Sequence, residues 1–239
     1  MHKRVHIDIT FLILLTSLMM SAQLDVFQQR SQFLLNSYMR DGQVDYKSLQ
    51  KDTKTITDLK VSLSKTRITD LTPQELKAFL INAYNITVII SITENYPISS
   101  VMDIDGFFDS NKHQIAGKSV TLNELEKNWI FKKFPDPRIH FALVCGAVSC
   151  PPLKDTIFNS QSIESKLEKI TKVTLNDSKF ITIDMHEKTA SVSKIFDWYS
   201  TDFKKYKSVI AFINKYTDKT IPDGFTINFK YYDWSLNQK

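Results

Sequence analysis

The run LKAFLINAYNITVIISI, residues 76–92, is apolar almost all the way round a helix. Such a helix has no face to offer water, so it must lie inside the protein and the rest of the chain must wrap it. It opens on Thr72-Pro73-Gln74-Glu75. Thr72 takes the N-cap, Pro73 a position where the missing N–H costs little, and Glu75 completes a capping box. It ends before Tyr96-Pro97, because a residue preceding proline avoids helical backbone angles. Asn82 and Asn85 interrupt it on one face. A buried amide without a partner costs about 1–3 kcal/mol. The two therefore either bond to neighbouring backbone or line a wet cleft.

Other elements follow from pattern and punctuation. Leu24 to Met39 reads as an amphipathic helix carrying Phe27, Phe33, Leu34, Leu35 and Tyr38, and a second helical stretch runs through Leu63. A hairpin is expected through His113 and Gly117. Thr121 to Glu124 is another capping box, opening a short helix that carries Glu126. IHFALVC, Ile139 to Cys145, is short, apolar and bounded by Asp136-Pro137 and Gly146; it reads as a buried strand. A helix follows over Ser162–Leu175 on Ile163, Leu167, Ile170 and Val173. A hairpin with His186 near its turn, a mostly helical segment from Ile195 and a last strand in GFTINFKYYDW complete the chain. The expected fold is α+β: helices packed around a small, mainly antiparallel sheet, with a central buried helix.

The 239 residues suit one domain,. MHKRVHIDITFLILLTSLMMSA has a basic start, an apolar run too short to span a bilayer, and a small-residue end. Residues 1–22 read as a signal peptide and 23–239 as the domain, so the protein is expected to be exported, periplasmic or secreted. A membrane is met only through that leader. The net charge of +5 is scattered over the chain. It forms no basic stripe with stacking aromatics, so nucleic acid is not an expected partner. The expected partner is a small-molecule or peptide-like ligand.

Phosphate-cradling, dinucleotide, HExxH and GxSxG motifs are absent. The chemistry concentrates in HFALVCGAVSCPPL, which holds both cysteines, spaced C-x4-C. Three uses compete: a Cys145–Cys150 disulfide, a reactive thiol at Cys145 beside Gly146, or a metal site with His140 and a distant fourth ligand such as His113 or Glu126. His140 is the nearest base in sequence. On a regular strand, however, His140 and Cys145 face opposite sides. A direct dyad then needs a bulge, or the base comes from elsewhere.

DGQVDYKSL, FLINAYNITVI, AGKSVTLNELE, DPRIHFALVCGAVSCPPL, SKIFDWYSTDF and YDWSLN together resemble the domain-of-unknown-function 547 family, in order and spacing, from Phe27 to Asn237. The resemblance implies emphasis on Asn82, Ala83, Tyr84, Asn85, Glu126, Arg138, His140, Cys145, Gly146, Cys150 and Pro151. Relatives that keep the first cysteine without the second imply a role for Cys145 as a thiol. After Glu126 the family often has His or Asn; here it is Lys127, a departure that puts a base at that position in doubt. The leading expectation is a thiol-dependent hydrolase or acyl-transfer enzyme on amide or ester substrates. Cys145 is its nucleophile, His140 or His113 its base, Glu126 the group that orients the base, and Asn82 or loop amides the oxyanion donors. Asn85, Arg138, Gly146 and Cys150 are expected to contact substrate, with no cofactor and no metal. The alternatives are a non-catalytic binding module with a disulfide-shaped polar cleft and, third, a metal hydrolase.

Overall fold

The central helix, α4, spans Pro73–Asn95 in the computed structural model. Its capping box closes as the sequence requires. The Thr72 hydroxyl accepts the Glu75 N–H at 3.3 Å, and the Glu75 carboxylate accepts the Thr72 N–H at 2.8 Å. By length and hydropathy α4 could cross a bilayer, but 94% of its most apolar window is buried inside the protein. It is a core helix. The structure describes residues 9–239, with side chains from Gln23 onward. The expected signal peptide, residues 1–22, lies outside the residues whose side chains are described.

Around α4 stand α1 (Ile9–Tyr38), α2 (Tyr46–Leu49) and α3 (Thr53–Lys65). Phe27 of α1 meets Phe79 of α4 edge to face at 5.2 Å, and Leu34 and Leu35 are buried with it. Phe33 and Val173, both expected on buried faces, are exposed. The hairpin β1–β2 (Met39–Arg40, Gln43–Val44) joins α1 to α2, and β3–β4 (His113–Ile115, Lys118–Val120) packs on α3. Helix α5 (Leu122–Glu124) is capped by Thr121 and continues without a break as a π-helical turn, Leu125–Phe131.

Residues expected as a strand after Asp136-Pro137 instead form a 3-10 helix, Pro137–Phe141, followed by irregular chain. The Asp136 carboxylate accepts the Arg138 N–H at 3.0 Å as an N-cap, with Pro137 at the first helical position. Apolar character alone does not separate a buried strand from a buried helical turn. Here the cap decides.

Helix α6 (Ile163–Leu175) follows, then the antiparallel hairpin β5–β6 (Ile181–Asp184, Thr189–Val192). Next come α7 (Ile195–Trp198), a 3-10 helix at Ser200–Tyr206, α8 (Val209–Tyr216) and β7 (Thr226–Phe229), which pairs parallel to β6. The protein is a single α+β domain with one core. Among the described residues its strands fall in three separate small sheets, two of two strands and one of three. Each strand is only two to four residues long, too short to organise the core, so α4 does so instead.

The last segment crosses the molecule. Val148 N–H donates to Ser235 O, Leu236 N–H to Ser99 O and Asn237 N–H to Gly146 O, each at 2.8 Å. Val44 N–H donates to Asn237 O at 3.0 Å. This strap holds the loop after Cys145 against the body.

Candidate functional site

A cleft of about 350 Å³ opens where the π turn, the 3-10 helix, the cysteine loop, α7 and the strap meet. That volume lies in the range of small-molecule sites. His140, Glu126, Cys145 and Cys150 all line it, together with Tyr84, Tyr199, Trp198, Tyr232 and Trp234.

The sulfurs are free thiols, Cys150 buried and Cys145 half-buried. The Cys145 N–H donates to Cys150 Sγ at 2.9 Å, and Cys150 Sγ donates weakly to Leu143 O at 3.8 Å. Cys145 Sγ lies 3.2 Å from Tyr232 Oη. Burial pushes the Cys145 thiol up. Its interaction with the Cys150 sulfur and hydrogen bonds from the Tyr232 hydroxyl and the Ala147 N–H outweigh it and hold the thiol below its ordinary value,. Cys150 is pushed well up, by burial and then by Cys145. Tyr232 is raised too, by burial and by the two sulfurs. Of the pair, Cys145 is the one that ionises.

Gly146 makes this loop possible. Its φ is +79°, and a Cβ there would sit 2.4 Å from Ile92 Cδ1 on α4. Only glycine meets both demands. Gly146 shapes the backbone under Cys145 and is absent from the cleft lining.

His140 reaches the cleft because its segment is helical, which removes the strand argument that set it on the opposite face from Cys145. Its ring is clamped between Phe131, 4.2 Å between centroids, and Tyr199, 3.9 Å. Nε2 lies 2.8 Å from Asp202 Oδ2. The hydrogen bond from His140 comes first among the causes that hold Asp202 below its usual carboxylate value. Asp202 therefore orients the imidazole, the part expected of Glu126. Glu126, only 6% exposed, accepts from Tyr84 Oη at 3.4 Å and also holds the Tyr199 hydroxyl. Burial raises Tyr199 first, and Glu126 raises it further. The π turn carries Glu126 into the cleft. Single π turns inside helices recur at functional sites.

Besides Gly146, three expected site residues lie outside the cleft lining. Asn82 Nδ2 donates to Phe158 O at 2.7 Å, and its Oδ1 accepts the Phe158 N–H at 2.9 Å. Asn85 does the same with Ala142 O at 2.9 Å and Val144 N–H at 3.0 Å. Each amide thus bonds a backbone donor and a backbone acceptor away from the cleft: Asn82 at Phe158, and Asn85 at Ala142 and Val144 of the cysteine loop. Arg138 bonds Asp136, Glu164 and Glu168, tying the 3-10 helix to α6. His113, the alternative base, lines a different depression beside Lys60 and Glu94. His186 is exposed at its hairpin turn. Among the described residues no group of three or more His, Cys, Asp or Glu is placed to hold a metal ion.

Trp198, Tyr199, Asp202, Tyr232 and Trp234 were not singled out from the sequence. The signal for them lay in the words SKIFDWYSTDF and YDWSLN, which carry the resemblance but hold no residue type that advertises chemistry. Trp198, Tyr232 and Trp234 pack on one another with centroids 4.8, 5.8 and 4.8 Å apart, a continuous aromatic wall.

No curated protein and no solved structure matches the chain. A family model described as "Protein of unknown function, DUF547" matches residues 68–173, which include α4, Glu126, His140 and both cysteines. Over that segment, which is less than half of the chain, the chain is similar to the DUF547 family.

Proposed function

We propose that this protein is a thiol-dependent hydrolase or acyl-transfer enzyme, exported by its N-terminal leader and acting on amide or ester substrates. One observation carries the reading. Cys145 is a free, half-buried thiol on the cleft floor, with Tyr232, Cys150 and the Ala147 N–H arranged to favour its thiolate. A depressed thiol in an accessible cleft is what nucleophilic catalysis needs.

In this reading the Cys145 thiolate attacks the substrate carbonyl and expels an amine or alcohol. Tyr232, in contact with the sulfur, relays the proton, and His140, held by Asp202, serves as acid and base at the far side of the cleft. The Ala147 N–H, already directed at the sulfur, lies within reach of a carbonyl oxygen attached there. Hydrolysis or transfer of the thioester then restores the thiol.

The test is intact-mass analysis after brief alkylation at neutral pH without reductant. One rapid label, lost in Cys145→Ser, is expected. A protein that takes no label until reduction exposes two thiols carries the bridged pair of the binding-module alternative, and the enzyme reading fails.

A further inference from the structure

We infer that the cleft selects a substrate bearing an organic ammonium group, bound between the aromatic wall and Glu126. The inference deepens the Cys145 reading by naming its substrate class. The binding itself can be measured apart from any chemistry.

The first observation is charge. Glu126 and Asp109 line the cleft, and among the described residues no lysine or arginine does. Glu126 is 6% exposed, and the partners it shows are two tyrosine hydroxyls, with no cation among them. Lys127, next in sequence, is exposed and lines a neighbouring depression that it shares with Glu126, Trp198, Tyr199 and Asp202; it does not line the cleft itself. A buried carboxylate is costly to keep unless a positive charge meets it. Here the cleft leaves that place open to a ligand.

The second observation is the wall. Trp198, Tyr232 and Trp234 form one packed aromatic surface, and Phe108 extends it, 6.3 Å from Trp234. Trp198 remains 45% exposed. Ring faces are negative, so a wall of tryptophan and tyrosine attracts a desolvated cation more than a neutral group of equal size. An anionic substrate would meet two carboxylates and the negative ring faces. A neutral one would leave Glu126 without its countercharge.

Calorimetry with Cys145→Ala protein removes chemistry and reads binding alone. The probes are choline and 3,3-dimethyl-1-butanol, which has the same shape without the charge. Choline is expected to bind at least about tenfold more tightly, the scale of one partly desolvated cation–aromatic contact. Trp198→Ala and Glu126→Gln should each weaken choline about tenfold and leave the alcohol little changed. Trp198 is surface-exposed, so its variant should fold. Asp109→Asn, also on the surface, gives a second charge test with a smaller loss of the same sign. Equal binding of the two probes, or no choline binding, overturns the inference. Rapid alkylation of Cys145 with no choline preference would leave the thiol reading standing. Choline selectivity with an inert Cys145 would do the reverse.

Discussion

Tyr232 and Gly146 act on Cys145 from opposite sides, one through the sulfur and one through the backbone. Removing the Tyr232 hydroxyl takes a donor from the thiolate, so the pH midpoint for Cys145 alkylation should rise in Tyr232→Phe. At neutral pH the labelling rate should fall about tenfold, the worth of one hydrogen bond to a charged group. A pH–rate series with iodoacetamide reads both. Gly146→Ala instead forces a left-handed residue to carry a Cβ that meets Ile92. The cost should be about 2–4 kcal/mol, strain and overpacking together, seen as a lower urea midpoint. Glycine at this point was visible in the sequence as a residue allowing close approach. That it lies against α4, rather than against substrate, depends on a contact 54 residues away in the chain, between Ile92 and Gly146, which no local pattern announces.

At the scale of elements, the helices were legible because they carry their own punctuation. Both capping boxes, at Thr72 and Thr121, close as expected. The segment after Asp136 was not legible, because a 3-10 turn and a buried strand look alike over a short, largely apolar run,. Its real anchors are Asn85, which bonds Ala142 and Val144 across the fold, and the Arg138 network. Asn85→Ala should strand both backbone groups and cost about 1–3 kcal/mol. It should also raise hydrogen exchange at Val144. Burial pushes Asp136 up, but the Arg138 hydrogen bonds and charge bring it below its ordinary value. A depressed carboxylate stabilises the fold above its unfolded value, and that contribution is lost as pH falls through the folded one. Asp136→Asn should therefore destabilise by about 2 kcal/mol near neutrality. The gap from wild type should close as the pH drops below about 4, the ordinary carboxylate range. Urea melts at several pH values would show a constant gap if the pairing were idle.

For the molecule as a whole, the cleft is assembled from distant parts: Tyr84 on α4, Glu126 on the π turn, His140 and the cysteines, Trp198 on α7, and Tyr232 and Trp234 on the strap. Deleting residues 235–239 removes the bonds to Ser99, Gly146, Val148 and Val44. Hydrogen exchange at Val148 and Val44 should then rise while α4 stays protected, and alkylation of Cys150 should become measurable. The family segment, residues 68–173, holds the cysteine loop, Glu126 and His140, but the aromatic wall and Asp202 lie beyond it. The two halves of the site thus come from different stretches of the chain. A lineage could keep the thiol and its loop while exchanging the wall, altering what is admitted without touching what reacts. Sharing the segment that marks the family therefore does not guarantee a shared substrate, and relatives are better compared by the residues aligned with Trp198, Tyr232 and Trp234.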